Sequence, residues 1–269
     1  MLYDVLLFWL QAFGTVLLIY FSFAAVTWVF TRVILPRSFN IRKIRGGPTP
    51  REQVLKEIVF SLRTMAVFAT ATLLLALLNK YSLLYGVALA ERWGRLWFWT
   101  CLVLMIVAHD AYFYWTHRLV HDPRLFRRMH RRHHRSHAPS PFTAYSFDLG
   151  EAAMLAGFVV IWVIVVPTPA ILAPIFMLHQ IFRNTTLHSG YEIMPAGRDG
   201  RPLLGWLTSV THHDLHHAEG RWNYGLYFTW WDSWMKTEHP EYLERFATAR
   251  GGRTDAPRPA ADSSSPSLR

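Results

Sequence analysis

The stretch 109-HDAYFYWTHRLVHDPRLFRRMHRRHHRSH-137 carries seven of the chain's 14 histidines, and 187-LHSGYEIMPAGRDGRPLLGWLTSVTHHDLHH-217 carries five more, whereas residues 1–108 carry none. Imidazole is the commonest nitrogen ligand, and several rings must converge to hold a metal, so so uneven a distribution points to a metal centre. His117 and His121 stand at i, i+4; His130, His133 and His134 stand at i, i+3, i+4, and His213, His216 and His217 repeat that spacing. On a helix each set shares one face, and three such faces can enclose a metal pair. Arg127, Arg128, Arg131, Arg132 and Arg135 are interleaved with the middle set. Their field opposes cation binding unless the side chains splay towards lipid phosphates. One HxxHH in such a run would read as a basic membrane-surface loop. Three histidine sets bracketing an apolar hairpin read as a site.

Around these stretches the chain is apolar: 52% of its 269 residues are hydrophobic, with 18 Phe, 12 Trp and 11 Tyr, yet its net charge is +10. A soluble domain seldom combines these, whereas a polytopic membrane protein with basic loops does. The charge is thereby assigned to the membrane surface, and no nucleic-acid partner is expected. The single cysteine, Cys101, lies in an apolar run, which excludes a disulfide framework and a thiolate metal site. No cleavable signal peptide is expected, because the first apolar stretch is long and lacks a basic leader and a small-residue cleavage site.

Residues 4–35 are nearly uncharged and exceed the roughly 20 helical residues that span a bilayer core. Residues 36–57 read as a basic loop broken by Gly46, Gly47, Pro48 and Pro50. A second span is expected over about 58–79, where Arg63 lies near one end and can snorkel, and a third over about 94–117, opening on Trp97 and Trp99. The fourth apolar region, 149–187, is too short for two full spans. Val166-Pro167-Thr168-Pro169 breaks it near its middle and predicts a hairpin of short arms. A hairpin returns the chain to the side it left, so both histidine groups share one face of the membrane. The Arg-rich loops place that face in the cytoplasm. The fold expected is an all-α integral membrane protein with four apolar helical regions, the fourth a Pro-broken hairpin, and a cytoplasmic helical cap holding a histidine-rich dimetal site. Three parts are expected: 1–93 with the N-terminal membrane helices and basic loop, 94–248 with the site, and a disordered tail over 249–269.

Two acidic residues beside the histidines, Asp110 and Asp214, are candidates for supporting roles. Asp110 falls within about 20° of His117 and His121 on an ideal helix and can orient an imidazole. His109 is rotated by about 80° from His117. Asp214, inside 213-HDLHH-217, can accept a proton from a ligating ring. His137, His179 and His212 read as polar packing or as hydrogen-bond partners of the ligands rather than as ligands.

The ordered motifs HRLVH (117–121), HRRHH (130–134) and HDLHH (213–217), with DAYFYWTHR leading in, HSGYE at 188–192 and NYGLYFTWWD at 223–232, resemble the fatty acid hydroxylase/sterol desaturase superfamily over roughly residues 95–240. The resemblance implies a membrane non-haem di-iron oxygenase with two iron ions, O2 as co-substrate, and oxidation of a lipid C–H bond. It implies His117, His121, His130, His133, His134, His213, His216 and His217 as metal ligands, and His188 as the additional ligand between the second and third motifs. Hydroxylases of this kind often carry HxxxH at that intermediate site; Asn184 stands there instead, and the related acyl-CoA desaturases suggest that it joins the metal shell through water. Lys236 replaces a glycine common in relatives. Electrons would come from a separate donor of ferredoxin or cytochrome b5 type with its reductase. Substrates reached from within the bilayer include sterols, fatty acyl chains and carotenoids. Hydroxylation, desaturation and oxidative demethylation share this metal shell.

Two other classes compete. A metal-dependent membrane hydrolase would usually carry a carboxylate base beside its histidines, and no HExxH occurs in the chain. A metal transporter would line a crossing path with histidines, whereas these cluster past helix ends.

Overall fold

The computed structural model describes residues 2–35, 43–45 and 47–251. Most of the expected tail, 252–269, and residues 36–42 and 46 of the basic loop lie outside the described residues. The described chain is helical, without named strands. Helix α1 (Leu2–Val29) continues through a π turn (Phe30–Ile34), and α2 (Arg51–Lys80), α3 (Tyr85–Arg92) and α4 (Gly94–Val120) follow. Two short helices, α5 (Pro123–Met129) and α6 (Arg131–His134), precede α7 (Leu149–Val165) and α8 (Leu172–Leu187). Helices α9 (Val210–Glu219), α10 (Trp230–Trp234) and α11 (Tyr242–Ala249) complete the cap.

Three helical stretches, Leu2–Ile34, Arg51–Lys80 and Gly94–Val120, are long and apolar enough to cross a membrane. The hairpin arms α7 and α8, of 17 and 16 residues, are each about 25 Å long, shorter than the roughly 30 Å of hydrocarbon. They are joined where the sequence demands it. Val166 is extended, as a residue before proline must be, and Pro167 and Pro169 cannot continue the α7 hydrogen-bond ladder. Unpaired backbone at such depth is costly. Trp97 Nε1 donates to the Pro167 carbonyl at 2.8 Å and the Thr168 hydroxyl to the Val166 carbonyl at 2.8 Å. Gly86 lets α3 close over this apex, since a Cβ there would stand 2.9 Å from Pro167 Cα.

The second span begins earlier than the sequence suggests. Helix α2 starts at Arg51 behind Pro50, not near residue 58, because its first turns pack on the 138–143 segment. Buried Glu57 accepts from the Ser140 hydroxyl at 2.6 Å and the Thr143 hydroxyl at 2.8 Å, and Gln53 donates to the Ala138 carbonyl. The third span extends to Val120, and the 80–95 connection holds the short helix α3. The core lies where α1, α2, α7, α8 and the 142–147 turn meet. Tyr20 at its centre shares a 2.9 Å hydrogen bond with Ser61 and donates to the Phe142 carbonyl. This packing fixes the 130–147 segment against the membrane helices.

Candidate metal centre

Each ligand-bearing segment has a local reason for its position. His117 lies in the last turn of α4 and His121 caps it. His130 sits at the break between α5 and α6, so the HRRHH motif is not one continuous helix. His188 is the C-cap of α8. Helix α9 is held at both ends: the Ser209 hydroxyl accepts from the His212 N–H, and Gly220 ends the helix in the left-handed region at φ 68°.

The nine rings form two adjoining clusters. His117, His121, His130, His134 and His216 make one, and His133, His188, His213 and His217 the other, with the ligand atoms of each within 4.8 Å of one another. Neither HxxHH motif serves one cluster. In each, the i, i+4 pair goes to one cluster and the remaining ring to its neighbour: His130 and His134 against His133, and His213 and His217 against His216. The clusters touch through His134 and His217, whose rings stack at 5.0 Å.

Ring tautomers follow from fixed acceptors. A carbonyl cannot donate, so His117 Nδ1–H donates to the Tyr224 carbonyl (2.9 Å), His216 Nδ1–H to the Trp222 carbonyl (2.7 Å) and His188 Nδ1–H to the Asn184 carbonyl (2.8 Å). His130 Nδ1 stands 2.7 Å from the buried Glu151 carboxylate. The Nε2 atoms of His117, His216 and His188 therefore carry lone pairs aimed inward. His117 Nε2 lies 3.0 Å from His130 Nε2, and His188 Nε2 lies 2.9 to 3.2 Å from Nε2 of His213, His217 and His133. The single lone pair on His188 Nε2 cannot accept from three rings at once. Imidazole nitrogens about 2.1 Å from a shared cation stand roughly 3 Å apart when adjacent in its shell, so these separations fit a metal. Burial first, and then neighbouring rings, hold His130, His133, His134, His213, His216 and His217 well below the ordinary imidazole range. Neutral imidazole is the form that binds a cation.

The supporting residues differ from expectation. Asp110 does not reach an imidazole. Its Oδ1 accepts from the Tyr227 and Phe228 N–H groups at 2.8 and 3.3 Å, because that face of α4 meets the 227–228 segment. Asp214 pairs with Arg45 at 2.9 Å, pinning the end of the basic loop to α9, while Arg45 also donates to the His137 carbonyl. The Asn184 side chain donates to the Ala144 carbonyl at 2.6 Å, and it is the residue's main chain that meets His188. His109 is buried among Phe158, Phe176 and Tyr227, and His179 packs on Tyr227. His212 is buried 3.7 Å from Asp232, and His137 is exposed. Glu151 was missed by the sequence reading, although it is the only ionisable residue in the apolar run 149–165, a pattern that signals function in a membrane segment.

Three long apolar helices and two contiguous histidine clusters define an integral membrane protein with a histidine-built metal centre. The chain belongs to the fatty acid hydroxylase family, whose model matches residues 102–237, half of the sequence. It is similar to a Delta(7)-sterol 5(6)-desaturase of Gibberella zeae, 29% identical over 68% of this chain and 55% of that one. It is also similar to methylsterol monooxygenase 1 of Rattus norvegicus, 32% identical over 55% of this chain and 50% of that one, and to lathosterol oxidase of Mus musculus, 27% identical over 68% and 60%. The chain thus spans about half to three-fifths of the length of these relatives. No solved structure matches it.

Proposed function

We propose that this chain is a membrane-bound non-haem di-iron oxygenase that hydroxylates or desaturates a C–H bond of a sterol or other long-chain lipid, with O2 and electrons from a separate donor of ferredoxin or cytochrome b5 type. The observation that carries the reading is the pair of contiguous all-histidine clusters with neutral, inward-aimed rings. Sterol-oxidising relatives support the substrate class. His117, His121, His130, His134 and His216 would hold one iron ion, and His133, His188, His213 and His217 the other. Iron held there would supply the reduction of O2 and the oxidising strength that an unactivated C–H bond demands.

The chain's own part is orientation and exclusion of water. The Glu151 carboxyl group fixes the His130 ring through Nδ1, and the 222–224 carbonyls hold the proton on Nδ1 of His117 and His216, leaving their Nε2 free. Phe113 and Phe147, 4.9 and 5.1 Å from the His117 and His133 rings, wall the centre with apolar surface. The rival hydrolase and transporter readings are less favoured, because both clusters consist of histidine alone and the nearest carboxylate, Glu151, is committed to a ring. In this reading residues 94–248 are the catalytic unit and its centre faces the cytoplasm. Cysteines placed at the exposed positions His137 and Arg221, in a Cys101→Ser background, should both label from that side.

The test is O2 uptake by purified protein with donor and lipid, with mass analysis of the lipid: a gain of about 16 mass units marks hydroxylation and a loss of about 2 desaturation. Oxygen-independent turnover, or metal flux in liposomes, would defeat the oxygenase reading.

A further inference from the structure

Four arginines close to the candidate metal centre take no part in the proposed reaction. Arg124, Arg127 and Arg128 of α5 and Arg131, just past the break at His130, line one cavity of about 580 Å³. Their neighbours are committed elsewhere: Arg118 donates to the Tyr114 hydroxyl, and Arg132 pairs with Asp148 at 2.8 Å and lies 3.7 Å over the Phe60 ring. Among the described residues, none of the four guanidinium groups pairs with a carboxylate. Four like charges around one hollow repel one another, and an anion resolves that cost.

The surroundings say what kind of anion. Helix α5 follows the membrane-spanning α4 after His121 and Asp122 alone. The end of α4 exposes Trp115 (47%) and Leu119 (56%), and the start of α7 exposes Leu149 (50%). Met129 packs directly on Gly150, which seats α5 on the first turn of the hairpin. The hollow therefore lies at the level where two apolar elements leave the bilayer, the level of lipid headgroups. Arginine forks match phosphate oxygens bidentately. We infer that this hollow binds the phosphate-bearing headgroup of an anionic glycerophospholipid of the membrane. The inference does not depend on the reaction proposed above.

The experiment is native mass spectrometry of the purified full chain titrated with phosphatidylglycerol or phosphatidylcholine. The wild type should retain phosphatidylglycerol selectively. Each basic side chain near an anionic surface changes binding roughly fivefold, so Arg127→Gln/Arg128→Gln should weaken retention about 25-fold. Arg127→Lys/Arg128→Lys, which keeps the charge but loses the planar forks, should weaken retention less than the Gln pair, and Arg221→Gln/Arg245→Gln, charge removals elsewhere, should retain all of it. Glutamine has a helix propensity close to arginine's, so α5 should persist. Equal retention by the wild type and the Gln variant would overturn the assignment. So would equal affinity for phosphatidylcholine, or displacement of the lipid by inorganic phosphate at matched concentration. A Gln variant that keeps its lipid but loses affinity for an acidic electron-carrier protein would make the hollow a protein-docking face and also overturn it.

Discussion

The two histidine clusters differ in how their rings are held. In the five-histidine cluster three rings are held through Nδ1: His117 and His216 donate to the Tyr224 and Trp222 carbonyls, and His130 is hydrogen-bonded to the Glu151 carboxyl group. In the four-histidine cluster only His188 is so anchored, to the Asn184 carbonyl, while Nδ1 of His133, His213 and His217 meets no protein acceptor. A ring whose far nitrogen is fixed presents one tautomer in one orientation, and such partners typically change metal affinity 10- to 100-fold. The first cluster is thus the more preorganised, and it has a buried carboxyl group behind a candidate ligand.

The harshest way to break this comparison is to remove a ligand from each side. His133→Ala and His216→Ala should each abolish turnover and lower metal per chain by plasma mass spectrometry, whereas His239→Ala should do neither, its ring pairing with Glu219 outside both clusters. Retention of full metal and activity by both ligand variants would show that the clusters are not the site.

The next effect is on affinity. Glu151→Leu removes the acceptor behind His130 and should lower affinity at the five-histidine cluster about 100-fold; Glu151→Gln keeps an acceptor oxygen without the charge and should lower it about 10-fold. Metal titration with a competing chelator measures both, and identical behaviour of the two variants would mean that the carboxylate's charge is idle. In the unmodified protein, chelator should strip metal in two phases, the four-histidine cluster emptying first. Glu151→Leu should bring the phases together, and a single phase in the wild type would erase the proposed asymmetry.

The smallest effect is expected at Asn184. Its side chain bonds Ala144 and its main chain supports His188, so Asn184→Ala should leave metal content intact and cost about 1 kcal/mol of stability, read as a lower thermal midpoint. A clear loss of metal would restore the side chain to the centre.

What could be read from the sequence tracks what is local. Pro167 and Pro169 end a helix by their own covalent structure, so the hairpin was legible without tertiary knowledge. The i, i+4 spacings announced shared faces, and each of those pairs does enter one cluster. The assignment of His133 and His216 to opposite partners was not legible, because it depends on how α6 and α9 cross. The anchoring carbonyls of Trp222, Tyr224 and Asn184 had no signature, since every residue has a carbonyl. Asp110 was misdirected for a related reason: helical angle told which way it points but not that the 227–228 backbone waits there. The early start of α2 rests on Glu57 meeting Ser140 and Thr143, a contact between segments far apart in the chain.

The interleaving of the boxes also governs biogenesis. Each cluster draws at least one ring from α9, His216 for one and His213 with His217 for the other. Neither can close until residues 210–217 have left the ribosome, after the three long apolar helices and the hairpin have been synthesised. A chain stalled before α9 would therefore present scattered rings with neither cluster complete.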